Sequence, residues 1–153
     1  MAQHSIITDE MRKWIGVTLA TQIVRVDKEW IAKFADVLED SNPLWQEEHT
    51  EKSPYGGMIA PPSFSYGFYI TGKPYREFGE PFETPSRHVD GGGDWEFFEP
   101  IRPGDIITVT TQIADVYERT GKSGTMLFVV FELLHKNQNE QLACICRKTR
   151  IYF

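Results

Sequence analysis

The sequence predicts one α+β domain in which an antiparallel sheet of about five strands wraps around a helix. Its length supports one domain, because 153 residues can bury a core of their own but would be cramped as two domains. A segment near residue 30 has apolar residues at helical spacing: Trp30, Ile31, Phe34, Ala35, Val37 and Leu38. The C-terminal half has four strand-like segments separated by short turn-forming joints. We therefore treat residues 1–153 as a single domain.

The first elements have recognisable boundaries. A helical extension is expected over residues 1–15, where Thr8 precedes two acidic residues as an N-cap does. Residues 17–26 are rich in Val, Thr and Ile, which favours a strand. Asp27 is expected to cap the amphipathic helix, and the helical pattern ends at the turn-forming residues 40–43.

The connection over residues 44–62 is long, polar and irregular. Such a connection inside a small domain is more often functional than idle. Pro61 and Pro62 suit the start of a second helix, since proline is favoured at the first helical position. We expect this helix over residues 63–71, where it would be short, aromatic and largely buried.

The four C-terminal segments are residues 86–99, 105–118, 125–136 and 141–152. Short joints, such as Pro103-Gly104, predict an antiparallel hairpin between each successive pair. The continuous apolar run Met126–Leu134 is typical of a central strand covered on both faces. The triplet Gly91-Gly92-Gly93 lacks the Lys and Ser/Thr of a phosphate loop, so a bulge or a close backbone approach is predicted there. A sheet of this kind leaves a long edge, and we expect at least a dimer.

Charge and cysteine content restrict the function. A formal charge of -6 without a basic stripe argues against nucleic acid as a partner. Cys144 and Cys146 lie two apart on one strand face and are expected to be reduced, half-buried thiols, as in cytoplasmic proteins. No secretory signal opens the chain and no apolar run reaches the ~20 residues of a membrane span. We expect a cytoplasmic protein without metal or redox cofactor, since no ligand spacing suggests one.

Three segments carry a family resemblance. Residues 40–44 (DSNPL) resemble the Asp-x-Asn-Pro-aliphatic signature of the MaoC-like (R)-specific enoyl-CoA hydratases. Residues 56–64 (GGMIAPPSF) and 95–105 (WEFFEPIRPGD) are similar to the loop, helix start and following strand of N-terminal MaoC-like dehydratase domains. The matches run in order and, together with the pattern that flanks them, cover nearly the whole chain. The resemblance implies a hot-dog fold.

The resemblance also implies a site. In active members an Asp, and a His five residues later, act on water and the substrate α-carbon, while an amide at the start of the central helix stabilises the thioester oxyanion. Asp40 takes the Asp position, but Trp45 takes that of the His. Pro61-Pro62 stands where active members have His-Gly, so the donating amide falls on a proline, which has no N–H. Ser63 is the next residue that can supply an amide.

The predicted site residues follow from these positions. Asp40 and Asn42 are the catalytic candidates, although Asp and Asn also commonly form turns directly after a helix. His49 is the nearest substitute for the absent His, but a solvent-exposed histidine in a polar loop is the better interpretation. The substrate-binding candidates are Trp45, Tyr55, Gly57, Ser63, Phe64 and Tyr66. For the aromatic members of this group, core packing is the alternative. His88 is expected on the surface, in a cross-strand contact or at a dimer seam. Arg147, Lys148 and Arg150 either form an exposed strand face or meet coenzyme A phosphates.

The resemblance implies hydratase/dehydratase chemistry on a 2-enoyl-CoA or 3-hydroxyacyl thioester, carried by coenzyme A or an acyl carrier. We interpret the chain as the acyl-binding subunit of an enzyme whose partner hot-dog subunit carries the complete Asp/His pair; a homodimer is the other assembly. Three alternatives remain open: a self-sufficient (R)-specific hydratase, a thioesterase using Ser63 or Ser65, and a non-enzymatic acyl-binding module.

Overall fold

The computed structural model describes residues 5–47, 53–71, 80–122 and 124–153, excepting the side chains of residues 69–71. In chain order the elements are α1 Asp9–Lys13, β1 Thr18–Arg25, α2 Lys28–Val37, a 3₁₀ turn Pro43–Trp45, a second 3₁₀ turn Pro62–Phe64 that runs into α3 Ser65–Thr71, β2 His88–Phe97, β3 Ile106–Gly121, β4 Gly124–Lys136 and β5 Leu142–Tyr152. The predicted five-stranded antiparallel sheet is confirmed.

The N-caps predicted for the first two helices are present. The Thr8 hydroxyl accepts a hydrogen bond from the Met11 N–H at 3.2 Å, at the start of α1. The Asp27 carboxylate accepts one from the Trp30 N–H at 2.7 Å, at the start of α2. Each cap satisfies a donor that lacks a partner within the helix. None of the helices in these ranges has the length and apolar character that a bilayer crossing requires.

The strand order is β1-β3-β4-β5-β2. The predicted hairpins β3–β4 and β4–β5 are present, but the one expected between β2 and β3 is wrong. Residues 98–105 instead carry the chain from β2 at one edge to β3 beside β1. Two backbone bonds hold this connection, from the Ala60 N–H to the Ile101 carbonyl and from the Gly104 N–H to the Val26 carbonyl, both 2.8 Å. The connection thus lies against the loop before α3.

The glycine triplet in β2 forms the predicted bulge and also a close approach. Pairing between β2 and β5 shifts register between Asp90 and Gly93, and Gly92 has a φ of +104°. A Cβ on Gly93 would lie 2.8 Å from the Arg147 carbonyl oxygen. Side chains are therefore excluded here by both conformation and space.

The helix packed on the sheet is α3 rather than α2. The Phe68 ring lies 5.9 Å from the His135 ring on β4, and Phe64 is fully buried. The longer α2 packs on α3, with the Trp30 ring 4.7 Å and the Phe34 ring 5.3 Å from Phe64. The expectation that the first apolar helix is central needs this correction, because the aromatic side chains of α2, Trp30 and Phe34, pack on the segment of Phe64 and Phe68, and Phe68 contacts β4.

β4 is the central strand, as predicted, but its two faces differ. The face towards α3 is buried, and its members are Leu127, Val129, Phe131, Leu133 and His135. The alternate residues on the other face are half-buried: Met126, Phe128, Val130, Glu132 and Leu134. Full coverage of β4 on both faces is thus not observed in the described part of the chain.

Candidate functional site

A cavity of about 350 Å³ lies where the loop before α3, the end of β2 and the start of β5 meet. Its described lining consists of Leu44, Trp45, Tyr55, Ile59, Ala60, Pro61, Pro62, Phe97, Phe98, Glu99, Pro100, Ile101, Ala143 and Cys144. Apolar and aromatic side chains dominate this lining. Such a cavity suits a ligand with an extended hydrocarbon part.

Few of these lining residues can exchange a proton. Glu99 carries the one carboxylate of the described lining, Tyr55 carries a phenol, and Cys144 carries a thiol. Burial raises the pKa of the Cys144 thiol to about 11, although a side-chain hydrogen bond with Ser65 lowers it in part. The thiol is therefore protonated at neutral pH and is a poor nucleophile.

Asp40 and Asn42 build a turn ahead of the cavity. The Asn42 N–H donates to the Asp40 carboxylate at 3.1 Å, and the Leu44 N–H donates to the Asn42 side-chain oxygen at 3.0 Å. This arrangement caps the 3₁₀ turn that carries Trp45, so the turn-forming role of both residues is observed. Neither residue is among the described residues that line the cavity.

Trp45 stands in the cavity wall at the position of the family His. Its side chain is buried, and among the described residues its indole N–H has no hydrogen-bond acceptor. An indole does not titrate near neutral pH, so this residue supplies surface and not proton transfer.

The start of the second aromatic helix forms another part of the wall. Pro61 and Pro62 both border the cavity, and the Phe64 N–H donates to the Pro61 carbonyl at 2.9 Å to close the first turn. Pro62 has no N–H to offer a ligand. Ser63, the next residue with an amide, is exposed and is not in the described lining.

Of the other predicted substrate-binding residues, one belongs to the described lining of the cavity and three do not. Tyr55 lies in the lining, and its carbonyl accepts a hydrogen bond from the Arg102 guanidinium at 2.6 Å. Gly57 is half-buried and stands outside the described lining. Phe64 lies in the core, and the Tyr66 ring lies 6.1 Å from Trp95, so neither borders the cavity.

His49 lies outside the described residues, and its proposed role stays a prediction. His88 is exposed, and its ring lies 5.5 Å from Tyr152 on the paired strand, which is one of the roles expected for it. The His, Cys, Asp and Glu side chains of the described ranges form no group of three or more that could hold a metal ion.

The basic residues of β5 make local contacts. Arg147 pairs with Glu132 at 2.8 Å and also with Asp94 and Glu96 on β2. The Glu96 hydrogen bond and the neighbouring carboxylates raise the pKa of the guanidinium. Lys148 lies over the Tyr66 ring at 4.6 Å.

Arg150 pairs with Glu80 at 2.6 Å, and both side chains are largely buried. A buried pair of this kind is a structural contact, because either charge would be costly without the other.

Sequence reasoning missed the part of the lining contributed by β5 and by the end of β2. Phe97, Phe98 and Glu99 lie in a segment that the family resemblance had marked, without a role assigned to them. Ala143 and Cys144 gave no signal, since small residues in an apolar strand look like ordinary core. Only the pairing of β5 with β2 brings these residues together.

The curated relatives of the chain include two proteins that share a name. A UPF0336 protein of Thermobifida fusca is 31% identical over 98 residues, which is 60% of this chain and 61% of that protein. A UPF0336 protein of Streptomyces avermitilis is 32% identical over 108 residues, which is 66% of this chain and 69% of that protein. The matched region thus spans less than two thirds of the Thermobifida relative.

Three solved structures are similar in fold. A MaoC-like dehydratase of Rhodospirillum rubrum is 23% identical, with a TM-score of 0.68 over 91% of this chain and 92% of that one. A chain of the ChsH1–ChsH2 complex of Mycobacterium tuberculosis is 12% identical, with a TM-score of 0.73 over 94% and 91%. A chain of the HadBC (3R-hydroxyacyl-ACP dehydratase) complex of the same organism is 19% identical, with a TM-score of 0.66 over 84% and 90%.

The family resemblance inferred from the sequence is confirmed by a family-level match. The sequence model described as the FAS1-like dehydratase domain region matches residues 13–145, which is most of the chain. The five-stranded sheet and its helices agree with the hot-dog fold of the MaoC-like structures. The chain therefore belongs to the FAS1-like dehydratase domain region, a hydratase/dehydratase family of the hot-dog fold.

Proposed function

We propose that this chain is the acyl-binding subunit of a hydratase/dehydratase that acts on a 2-enoyl or 3-hydroxyacyl thioester. A second hot-dog subunit supplies the catalytic Asp and His. One observation carries the proposal: the apolar cavity is walled by Trp45 and Pro61-Pro62, at the positions where active relatives are expected to carry a His and an amide donor.

The chemistry explains why those replacements matter. Hydration across an enoyl thioester needs a base for water, an acid for the α-carbon and a donor for the enolate oxygen, each contributing on the order of 10²–10⁴-fold. The Trp45 indole cannot act as an acid or a base near neutral pH, and Pro62 has no N–H. The Asp40 carboxylate is engaged in its own turn. Our proposal therefore assigns proton transfer to the partner.

The lining that remains suits the acyl part of the substrate. Apolar contact stabilises a bound hydrocarbon by roughly 25 cal/mol per Å² removed from water. Leu44, Ile59 and Ile101 provide such contact from three different segments. The thioester carrier is coenzyme A or an acyl carrier protein, and the proposal includes no metal or redox cofactor.

In this proposal the partner binds along the β2 edge of the sheet. β2 is the terminal strand, and within the described structure it pairs with β5 on one side only. An unpaired edge of this length is a template for another strand. Phe97 and Phe98, at the end of β2, also border the cavity, so a chain that continues the sheet along β2 would lie beside the cavity. Solved relatives of the same fold include chains of two named complexes.

Charge along β2 favours a different chain over a second copy. Residues 88–99 contain Asp90, Asp94, Glu96 and Glu99 and no Lys or Arg. Arg147 on β5 pairs with Asp94 and Glu96 and offsets part of this charge. A partner with a neutral or basic edge would still avoid repulsion between like charges along β2.

The heteromeric enzyme tests the proposal. We expect Asp40→Asn in this chain to leave crotonyl-CoA hydration by the co-purified complex within about twofold, because Asp40 forms a turn. Replacing the partner's Asp or His by Ala should lower kcat by roughly 10²–10⁴-fold. Loss of activity above a hundredfold with Asp40→Asn, at unchanged complex assembly, would make Asp40 catalytic and overturn the proposal.

A self-sufficient hydratase is the second candidate, because Glu99 places one carboxylate in the described lining. That candidate requires the purified chain alone to hydrate crotonyl-CoA and Glu99→Gln to abolish the reaction. The thioesterase alternative has less support, since the Ser65 hydroxyl is buried and donates to the Pro62 carbonyl at 3.3 Å, and Ser63 lies outside the described lining.

A further inference from the structure

One hydrogen-bond donor in the wall of the cavity is buried without an acceptor. Trp45 borders the cavity and is 7% exposed, and its indole Nε1 exposes less than 1 Å². In the part of the chain that the structure describes, this nitrogen makes no hydrogen bond. The N–H has therefore lost its bonds to water without gaining others, which is uncommon and costly inside a protein.

The place of this donor distinguishes it from other buried polar atoms. The Gln22 side-chain oxygen and the Thr111 hydroxyl also lack a partner among the described residues, but they lie on β1 and β3, outside the described lining. Trp45 instead stands beside an empty volume of about 350 Å³. An acceptor that enters the cavity therefore comes close to the Trp45 ring.

The backbone of the same wall has few donors to offer. The N–H groups of Leu44 and Trp45 donate to Asn42, at 3.0 Å and 3.3 Å. The Ile59 N–H donates to the Leu44 carbonyl at 3.0 Å, and the Ala60 N–H is bonded to the connection after β2. The two prolines that follow have no N–H. Among residues 44–45 and 59–62, the indole N–H is therefore the donor left for a ligand.

An acyl thioester carries a suitable acceptor. The hydrocarbon of an acyl group has none, and divalent sulfur is a weak acceptor. The thioester carbonyl oxygen is a good acceptor, and the 2-enoyl and 3-hydroxyacyl forms share it. From this match we infer that the Trp45 indole N–H binds the carbonyl oxygen of the thioester. The inference rests on the proposed function, because it takes the ligand to be an acyl thioester.

The bond orients the thioester and transfers no proton, since an indole N–H donates a hydrogen bond but does not titrate near neutral pH. The partner therefore still supplies the acid and the base. Because Nε1 is covered in the ligand-free chain, binding requires a shift of the ring, and the cavity beside the ring gives room for that shift.

A pair of ligands that differ in the carbonyl group tests the inference. Butyryl-CoA has the thioester carbonyl, whereas S-butyl-CoA has a methylene in its place, and neither can be hydrated. Isothermal titration calorimetry measures the affinity of the full chain for both. In Trp45→Phe, which keeps a ring but has no N–H, the affinity ratio of butyryl-CoA to S-butyl-CoA should fall by about three- to tenfold, as for one hydrogen bond. The smaller ring affects both ligands alike and cancels in the ratio.

Two further variants serve as comparisons. Trp14→Phe removes an indole N–H that donates to Glu10 at 3.3 Å and lies outside the described lining, so the ratio should not change. Tyr55→Phe removes the phenol of the lining. A fall in the ratio with Tyr55→Phe and not with Trp45→Phe would place the donor at Tyr55 and overturn the inference. Circular dichroism checks that each variant is folded.

The wild-type chain provides a second measurement that depends on no variant being stable. With ¹⁵N-labelled tryptophan, the Trp45 indole N–H resonance should move further downfield with butyryl-CoA than with S-butyl-CoA. The resonance of Trp14, whose indole is already paired, should stay in place. Equal shifts of the Trp45 resonance with both ligands would contradict the inference.

Failure of the inference is distinguishable from failure of the proposed function. If the wild type does not bind butyryl-CoA, the proposed function fails and the inference fails with it. If the wild type binds both ligands and Trp45→Phe leaves their affinity ratio unchanged, only the inference is overturned.

Discussion

The core behind the cavity and the wall of the cavity differ in their chemistry. The core contains buried residues of types that many enzymes use for catalysis: Ser65, His135 and Cys146. Burial lowers the pKa of His135 to about 4 and raises that of Cys146 to about 12, so both are neutral at pH 7. The wall, in contrast, has Trp45 and the proline pair, at the positions to which the sequence resemblance assigns a His and an amide donor.

This difference shows that the presence of titratable groups is a poor guide to where chemistry occurs. His135 and the Cys146 thiol are neutral packing groups, because burial disfavours their charged forms. The wall residues line the cavity, and contact with a ligand is the role that we propose for them. Substitutions that affect one region but not the other test this difference between the core and the cavity wall.

The largest expected effect on stability comes from removing a buried aromatic ring, and removal of an exposed ring from the cavity wall is the comparison. Phe64→Ala should lower the free energy of unfolding by about 3–5 kcal/mol, because the side chain is fully buried against Trp30, Phe34 and Phe68. Phe97→Ala, in the exposed part of the cavity wall, should cost about 1 kcal/mol or less but weaken acyl-CoA binding. Urea denaturation and calorimetric titration measure the two effects. Similar losses of unfolding free energy in both variants would contradict the proposed difference between the core and the cavity wall.

His135 should make folding stability depend on pH. Its folded pKa of about 4 lies below the ordinary histidine value of 6.5, because burial disfavours the imidazolium. The unfolded chain therefore binds a proton that the folded chain does not between these values, and stability falls as pH drops from 6.5 towards 4. The expected loss is about 3 kcal/mol.

The matched variant for this effect is His135→Gln, which removes the titrating group but keeps a polar side chain. Unfolding free energies at several pH values between 4 and 7 should decline less steeply in the variant, by up to about one proton in slope. Parallel curves for the two proteins would mean that His135 does not titrate as its burial implies.

The smallest expected effect on stability concerns the turn before the cavity. Asp40→Ala removes the acceptor of the Asn42 N–H and should cost about 1 kcal/mol. Asp40→Asn keeps an acceptor oxygen and should cost less than half of that. A loss from Asp40→Ala as large as that from Phe64→Ala would show that the turn is part of the core.

The fold was largely predictable from the sequence because local patterns specify its elements. Thr8 and Asp27 are capping residues at helix starts, and the glycine triplet specifies a bulge. The strand order was not predictable in full, because the joint at Pro103-Gly104 has turn chemistry whether or not the strands that it connects are paired. A short joint forms a hairpin only where the two strands that it connects are also neighbours in the sheet.

The residues of the candidate site were predictable from the sequence only in part. Trp45, Tyr55, Phe64 and Tyr66 are all predicted from their aromatic character, and of these four Trp45 and Tyr55 line the cavity. Aromatic character alone cannot distinguish a core residue from a wall residue. Ala143 and Cys144 reach the cavity only through long-range pairing, which no local pattern encodes.

The most direct test of the account measures binding and conversion of one thioester in one sample. The purified chain is titrated with crotonyl-CoA in the calorimeter, and the enoyl absorbance of the same mixture is followed for several hours. The account predicts saturable binding with no loss of absorbance, since the Trp45 indole cannot act as an acid or a base and Pro62 has no N–H. Steady loss of the enoyl absorbance from a sample free of other hot-dog chains would contradict it.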